Sequence, residues 1–144
     1  MFEVFPNLFI GTERECFFTQ RDDWGVIHAC KSPCHQRALG YRGSLPKDHP
    51  NYLVYERENH LFLNIIDPNE PLFMPPLFTA SLDFIEKHIS KRKVLIHCNE
   101  GLSRSPSLAL LYLQNALELL MKKAINWLLK TSLNYFLVTD RGEE

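Results

Sequence analysis

Apolar runs of strand length alternate along this chain with stretches of helical periodicity. The runs at residues 26–30, 61–66 and 94–98 have the length and composition of buried strands. Residues 8–11 form a further short run that ends in glycine. Because strands that alternate with helices favour crossover connections, the pattern predicts an α/β fold with a central, mainly parallel sheet flanked by helices.

Helical spacing of apolar residues predicts the main helices. One amphipathic helix is expected from a stripe formed by Phe78, Leu82, Ile85 and Ile89. A second helix should begin at Ser105 and Pro106, a serine cap followed by proline in the first turn, and be buried on every side over residues 108–113. A last long helix is predicted from the repeat of Leu117, Leu120, Met121, Ala124, Ile125 and Leu128. The chain after Thr131 fits no clear pattern.

Most of the remaining residues are predicted to form loops. Residues 31–60 contain several prolines and glycines, and only a strand near residues 52–55 is expected there. Residues 15–23 have weak helical character. Four of the nine prolines fall between residues 68 and 76, which predicts a stiffened loop there.

Composition narrows the class of protein. The chain has 144 residues, a formal net charge of −1 and 45% hydrophobic residues, which predicts a single globular domain over residues 1–144. The near-zero charge argues against nucleic-acid binding, and the longest apolar run, at residues 108–113, is too short to span a membrane. Because no secretory signal is visible, we expect a cytoplasmic location and reduced thiols at the four cysteines.

The segment with the clearest chemical meaning is residues 97–105, which read His-Cys-Asn-Glu-Gly-Leu-Ser-Arg-Ser between a predicted strand and a predicted helix. In a chain of this composition, chance places an arginine six positions after a cysteine with a probability of about 0.2. When the preceding histidine, the glycine and a serine or threonine after the arginine are also required, that probability falls to roughly 3 in 100,000. The segment therefore indicates a functional loop.

A loop of this length can form a cup for phosphate. Five residues separate Cys98 from Arg104, enough for a tight turn whose N–H groups converge at a helix N-terminus. Gly101 tolerates a left-handed backbone, and the planar Arg104 guanidinium matches two phosphate oxygens. The same dipoles lower the pKa of the Cys98 thiol from about 8.5, which makes it a nucleophile beneath a bound phosphate. Ser105 is placed to donate a hydrogen bond to the departing sulfur.

Residues 97–105 resemble the signature loop of the cysteine-dependent protein tyrosine phosphatase superfamily, His-Cys-x5-Arg-Ser/Thr, and its dual-specificity branch most closely. The resemblance covers most of the chain and implies a phosphate loop between a strand and a helix. It also implies a phosphocysteine intermediate on Cys98, transition-state binding by Arg104 and a water-driven second step. His97 would shape the loop through backbone hydrogen bonds, and the phosphate would be held by Asn99, Glu100, Gly101, Leu102, Ser103 and Arg104.

Departure of the substrate oxygen needs a proton from a carboxylic acid. Asp67 directly follows the predicted strand 61–66 and lies 31 positions before Cys98, a separation similar to the family's. Asp48 lies in a loop, and its position in the chain gives less reason to place it beside Cys98. Asp83 falls on the polar face of the predicted amphipathic helix. We therefore expect Asp67 to be the general acid.

The other cysteines and histidines have two further interpretations. Cys30 ends a predicted strand, and in some members of the resembled family a cysteine there forms a protective disulfide with the nucleophile; the alternative is a plain buried cysteine. His28, Cys30, Cys34 and His35 have metal-ligand chemistry, but their spacing is poor for zinc. No metal or cofactor is therefore expected.

These observations predict a metal-independent protein phosphatase that acts on phosphotyrosine, with phosphoserine and phosphothreonine as further candidates. Its partner would be a phosphoprotein or phosphopeptide, and neither nucleic acid nor a membrane is expected as a partner. Glu100 would repel highly charged inositol phosphates. Two alternatives stay open: a phosphatase acting on the 5′-phosphate of RNA or a nucleotide, and a phosphoprotein-binding module without turnover.

Overall fold

A six-stranded mixed sheet organises the amino-terminal part of the chain. The computed structural model describes residues 1–66, 75–99 and 104–142. The strands are β1 (Phe2–Phe5), β2 (Leu8–Gly11), β3 (Trp24–His28), β4 (Val54–Arg57), β5 (His60–Leu63) and β6 (Lys93–His97). Their order is β1-β2-β6-β3-β5-β4. The four central strands pair in parallel and the two outer strands pair antiparallel, which confirms the predicted α/β fold.

Within the described ranges, four helices and one helical turn accompany the sheet. They are α1 (Glu13–Phe18), a π-helical turn (Lys31–His35), α2 (Gln36–Leu39), α3 (Pro75–His88) and α4 (Arg104–Gly142). Helix α1 starts earlier than the weak pattern at residues 15–23 predicts, because Thr12 and Glu15 form a capping box at its first turn. Within the described residues, no helix is both long and apolar enough to cross a membrane.

The two faces of the sheet carry different helices. A Cβ placed on Gly25 would come within 3.3 Å of Phe84 and His88, so α3 packs closely on that face of β3. A Cβ on Gly11 would lie 3.2 Å from the Glu15 side chain, which places α1 on the other face. Because side chains alternate along a strand, consecutive residues of β3 and β6 face different helices.

The core lies on both sides of β3 and β6. Their central residues are fully buried, which explains why both strands read as continuous apolar runs rather than alternating ones. The fully buried members are Val26, Ile27, Val94, Leu95 and Ile96.

The strand predicted over residues 61–66 is shorter than expected. β5 ends at Leu63, and the chain then turns, since the Ile65 N–H donates to the Leu63 carbonyl at 2.9 Å and the Asn64 N–H to the Leu53 carbonyl at 2.9 Å. Asp67 and residues 68–74 of the predicted proline-stiffened loop lie outside the described residues. Pro75 opens α3 instead of belonging to a loop, which suits a residue without an N–H in a first helical turn.

The buried stripe of α3 differs from the predicted one. Of the predicted positions only Ile85 is buried, while Phe78, Leu82 and Ile89 are half-buried. The buried side also includes two polar residues, which apolar periodicity cannot find. Its members are Leu77, Ser81, Phe84, Ile85 and His88.

Helix α4 is one continuous helix where two were predicted. No proline follows Pro106 and no glycine interrupts the chain before Gly142, so nothing breaks the helix. It begins at Arg104, so Ser105 lies inside the first turn rather than at the cap. The expectation of burial on every side over residues 108–113 is wrong, because the Leu110 side chain is 66% exposed.

Residues 1–112 and residues 113–144 form two compact units. The first contains the sheet, and the described residues of the second, 113–142, continue α4. In the second unit, the predicted repeat is helical, and its large members Leu117, Leu120, Met121, Ile125 and Leu128 are exposed. The single domain over residues 1–144 stays a prediction.

Candidate active site

Cys98 lies directly after β6, and its side chain is almost completely buried, with 2% exposed. Its Sγ lies 3.4 Å from the Oγ of Ser105, which is fully buried in the first turn of α4. A hydroxyl at this distance can donate a hydrogen bond to a thiolate. Strand β6 and helix α4 therefore bring Cys98 together with Ser105, the residue expected to donate a hydrogen bond to its sulfur.

The backbone around Cys98 holds three parallel strands together at their carboxyl ends. The Ala29 N–H donates to the His97 carbonyl at 2.9 Å, and the Cys98 N–H donates to the Gly11 carbonyl at 3.4 Å. In open α/β sheets, ligands bind outside the carboxyl ends of the strands. Cys98 thus occupies the edge where a substrate is expected.

Arg104 anchors the same edge through its guanidinium group. Its Nη1 donates to the Ala29 carbonyl at 3.3 Å and to the Ile65 carbonyl at 3.2 Å. The Ile65 carbonyl also accepts from the Lys31 N–H at 3.0 Å. The arginine therefore links the segments that follow β3 and β5 and is held at the first residue of α4. Among the described residues, its buried Nε has no hydrogen-bond partner.

Several predicted site residues cannot be placed in this geometry. Asn99 is exposed at the start of the loop. Asp67 and four residues of the predicted phosphate cup, Glu100, Gly101, Leu102 and Ser103, lie outside the described residues. Their predicted roles stay predictions.

His97 directs its ring toward the α1 face of the sheet. Its Nε2 lies 2.7 Å from Nδ1 of His28 and 3.9 Å from Sγ of Cys34. Burial lowers the pKa of His28 to about 4, which favours the neutral imidazole. The expected backbone hydrogen bonds of His97 stay a prediction, whereas its contacts with another histidine and a cysteine were not foreseen.

Cys30 is fully buried directly after β3. A hydrogen bond with Cys34 holds the pKa of the Cys30 thiol down to about 7, against the effect of burial. The four cysteines, all within the described ranges, form no disulfide. The redox partnership of Cys30 with Cys98 stays a prediction.

The residues weighed for zinc binding do not form one group. His35 is buried elsewhere, with Nδ1 2.7 Å from the Tyr41 hydroxyl and Nε2 3.0 Å from the Asn51 carbonyl. His28 and Cys34 are instead grouped with two residues from distant parts of the chain, Cys16 and His97. Sequence spacing could not reveal this group, because it depends on the pairing of β3 with β6.

Comparison with known proteins adds to this geometry. The dual specificity phosphatase catalytic domain matches residues 44–138, which is more than half of the chain. The chain belongs to this family. The match includes β5, β6 and the segment 97–105, and it confirms the resemblance to the dual-specificity branch.

A curated relative agrees with the family match. The chain is 27% identical over 126 residues to human dual specificity protein phosphatase 16. This alignment covers 84% of the chain. The aligned part makes up only 16% of that protein. Family membership and this relative support a protein phosphatase domain.

Proposed function

We propose that this chain hydrolyses phosphotyrosine in proteins, and phosphoserine and phosphothreonine as further substrates, through a phosphocysteine intermediate on Cys98. The observation that carries the proposal is the contact of the buried Cys98 Sγ with Ser105 Oγ at 3.4 Å, at the junction of β6 and α4. Membership of the dual specificity phosphatase family supports the same reaction class.

The position of Cys98 favours an anionic ligand. Helix α4 starts at Arg104 and continues for 39 residues, so its N-terminal dipole and its first N–H groups are directed toward this end of the sheet. The Arg104 guanidinium adds a full positive charge. Both features favour a phosphate dianion above the sulfur and stabilise the charge that spreads over the oxygens in the transition state.

The proposed reaction has two displacements. The Cys98 thiolate attacks phosphorus, the bond to the substrate oxygen breaks, and Asp67 supplies the proton to that oxygen. Water then attacks the phosphocysteine, Asp67 takes a proton from it, and phosphate leaves as the sulfur regains its electron pair. Ser105 stabilises the departing thiolate by donating a hydrogen bond, and Arg104 binds the phosphoryl oxygens in both steps.

The contacts of Arg104 with two backbone carbonyls also support the proposal that its guanidinium is held in position before phosphate binds. A guanidinium that is tied at Nη1 to the segments after β3 and β5 loses little further freedom when phosphate binds. This predicts that lysine cannot replace Arg104, because an ammonium group lacks the planar fork that can bind the carbonyls and the phosphate together.

A para-nitrophenyl phosphate assay with purified protein tests turnover. We expect hydrolysis that vanadate, a phosphate mimic, inhibits, and Ser105→Ala should slow breakdown of the phosphocysteine so that a product burst precedes slow turnover. Ser90→Ala, which changes an exposed serine after α3, is the matched control. Absence of turnover in correctly folded wild-type protein would contradict the enzyme proposal and favour a binding module.

The general acid is tested by a pH profile. If Asp67 donates the proton, kcat/KM should be bell-shaped on the acid side of neutrality and Asp67→Asn should flatten the basic limb. An unchanged basic limb would assign the proton to another group. A panel of phosphopeptides, 5′-phosphorylated RNA and nucleotides separates the substrate classes, and faster hydrolysis of RNA than of phosphotyrosine peptides would overturn the protein substrate.

A further inference from the structure

We propose that Cys16, His28, Cys34 and His97 form a zinc-binding site on the α1 face of the sheet. The four residues offer one ligand atom each, and these four atoms all lie within 4.8 Å of one another. The site is separate from the sulfur of Cys98 and does not depend on the proposed phosphatase reaction.

Three of the distances between ligand atoms are close to those of a tetrahedral site. Zinc–sulfur bonds of about 2.3 Å and zinc–nitrogen bonds of about 2.0 Å place neighbouring sulfur and nitrogen ligands about 3.5 Å apart, and two nitrogens about 3.3 Å apart. Cys16 Sγ lies 3.6 Å from His28 Nδ1, and Cys34 Sγ lies 3.9 Å from His97 Nε2. The two histidine nitrogens are 2.7 Å apart and would need to separate by about 0.6 Å.

The topology of the sheet assembles the four ligands. His28 and His97 are register partners on the adjacent parallel strands β3 and β6, so their rings project side by side from the same face. Cys16 reaches them from α1, which packs on that face, and Cys34 from the helical turn that follows β3. Ligands from two strands, a helix and a turn would tie these elements together.

The surroundings orient one of the imidazoles as a ligand. Nε2 of His28 lies 3.0 Å from Nδ1 of His60, so an Nε2–H can donate there and leave the His28 Nδ1 lone pair directed at the cluster. The Phe62 ring stacks on the His28 ring at a centroid distance of 4.4 Å and fixes its plane. Metal-bound histidines normally donate the N–H of their second nitrogen to a hydrogen-bond acceptor.

Charge and access also suit the ion. Two thiolates neutralise Zn²⁺, so the loaded site adds no net charge to a region where His28 and His97 are buried. Binding releases the two thiol protons to solvent. A cavity of about 310 Å³ is lined by Cys16, His28, Cys34, Arg37, Arg57 and His60, and it gives the ion a path of entry.

The ligand set identifies the ion and its role. Two sulfur and two nitrogen ligands in a tetrahedral arrangement select zinc among common divalent ions. Four protein ligands leave no open position for water or substrate, so the ion would stabilise the fold and supply no chemistry at Cys98. Two alternatives are a metal-free hydrogen-bonded cluster and a disulfide between Cys16 and Cys34.

The first test uses the whole untagged chain, produced with added zinc and purified under reducing conditions without chelator. We expect about one zinc per chain by elemental analysis, in line with a single four-ligand site. Replacement with Co²⁺ should produce the strong visible absorption of tetrahedral cobalt and a thiolate-to-cobalt charge-transfer band. Zinc far below one per chain, or a weak octahedral cobalt spectrum, would overturn the proposal.

The second test assigns the ligands. Cys16→Ser and Cys34→Ser should each weaken zinc binding at least about tenfold and reduce the charge-transfer band. Cys30→Ser is the matched control, since it removes a neighbouring thiol outside the group of four, and it should keep the metal, as should Cys98→Ser. If Cys30→Ser loses zinc as Cys34→Ser does, the ligand set is wrong. If zinc-treated wild-type protein yields a Cys16–Cys34 disulfide on peptide mapping, the pair is a redox site instead.

Discussion

Cys98 and Cys16 are thiols near the same end of the central sheet, yet their neighbours give them different chemistry. Cys98 is buried beside the hydroxyl of Ser105, at the start of a 39-residue helix. Cys16 lies on α1, partly exposed, with its sulfur 3.6 Å from an imidazole nitrogen. A hydroxyl and a helix N-terminus stabilise an anion, whereas imidazole lone pairs can share a cation with the sulfur.

Strand β6 connects the two sites, because its last residue His97 belongs to one and the next residue, Cys98, to the other. The adjacent strand β3 also contributes to both sites. Its last residue, His28, belongs to the cluster, and the carbonyl of the next residue, Ala29, accepts a hydrogen bond from Arg104. Alternation along two paired strands is thus enough to direct the proposed nucleophile and the proposed metal-binding cluster to different faces of the sheet.

Removal of the Cys98 thiol should distinguish the two proposed sites most clearly. Cys98→Ser is expected to lower kcat for para-nitrophenyl phosphate by at least about 10³-fold, because a serine hydroxyl is far less ionised than the thiol it replaces. Zinc content should not change. Equal rates for the variant and the wild type would remove the catalytic role of Cys98.

Substitution of Arg104 should have the next largest effect. Arg104→Lys is expected to lower kcat/KM about 10²-fold, since the planar fork is lost from both the phosphate and the Ala29 and Ile65 carbonyls. Steady-state kinetics measures the loss, and Arg14→Lys, on the exposed side of α1, is the control. Comparable rates for the two variants would contradict the role of Arg104.

Removal of zinc should affect stability rather than the chemical step. With free zinc at 100 times the dissociation constant, the loaded site should add about 2.7 kcal/mol to the free energy of unfolding. A chelator should therefore lower the melting temperature of the wild type while the same treatment leaves Cys34→Ser unchanged. A melting temperature that does not respond to zinc would contradict the stabilising role.

Another buried imidazole, on the opposite face of β3, extends the comparison. His88 of α3 packs against Phe84 and Gly25, and neither ring nitrogen has a hydrogen-bond partner in the described part of the chain. Burial lowers the pKa of His88, with smaller effects from Arg92, Lys87 and Lys91. The neutral ring is thus retained to a lower pH in the folded state than in the unfolded chain.

This shift sets the sign of a pH effect. Because the folded pKa lies below the unfolded value of about 6.5, the contribution of His88 to stability is present above that pH and is lost as the pH falls through the folded pKa. His88→Leu should remove that loss, so the variant should lose less stability than the wild type between pH 7 and pH 5. Denaturant unfolding at pH 7 and pH 5 measures the free energy of unfolding of both proteins. An equal loss of stability in the wild type and the variant would contradict this effect of His88.

The linear pattern of residues was sufficient for the features that depend on near neighbours in the chain. The apolar runs at residues 26–30 and 94–98 predicted the two central strands, because a strand covered on both faces contains few polar residues. The segment 97–105 likewise indicated the contact between Cys98 and Ser105, since a single loop joins them. The family match agrees with that interpretation.

Features that depend on contacts between distant segments required the folded chain. The group of Cys16, His28, Cys34 and His97 exists only because β3 and β6 pair in a register that aligns the two histidines, and nothing in the spacing of these residues encodes that register. The burial of Ser81 and His88 in α3 escaped the apolar pattern for a similar reason. Polar residues can be buried where the packing of neighbouring elements encloses them, and that packing is a property of the whole fold rather than of the local sequence.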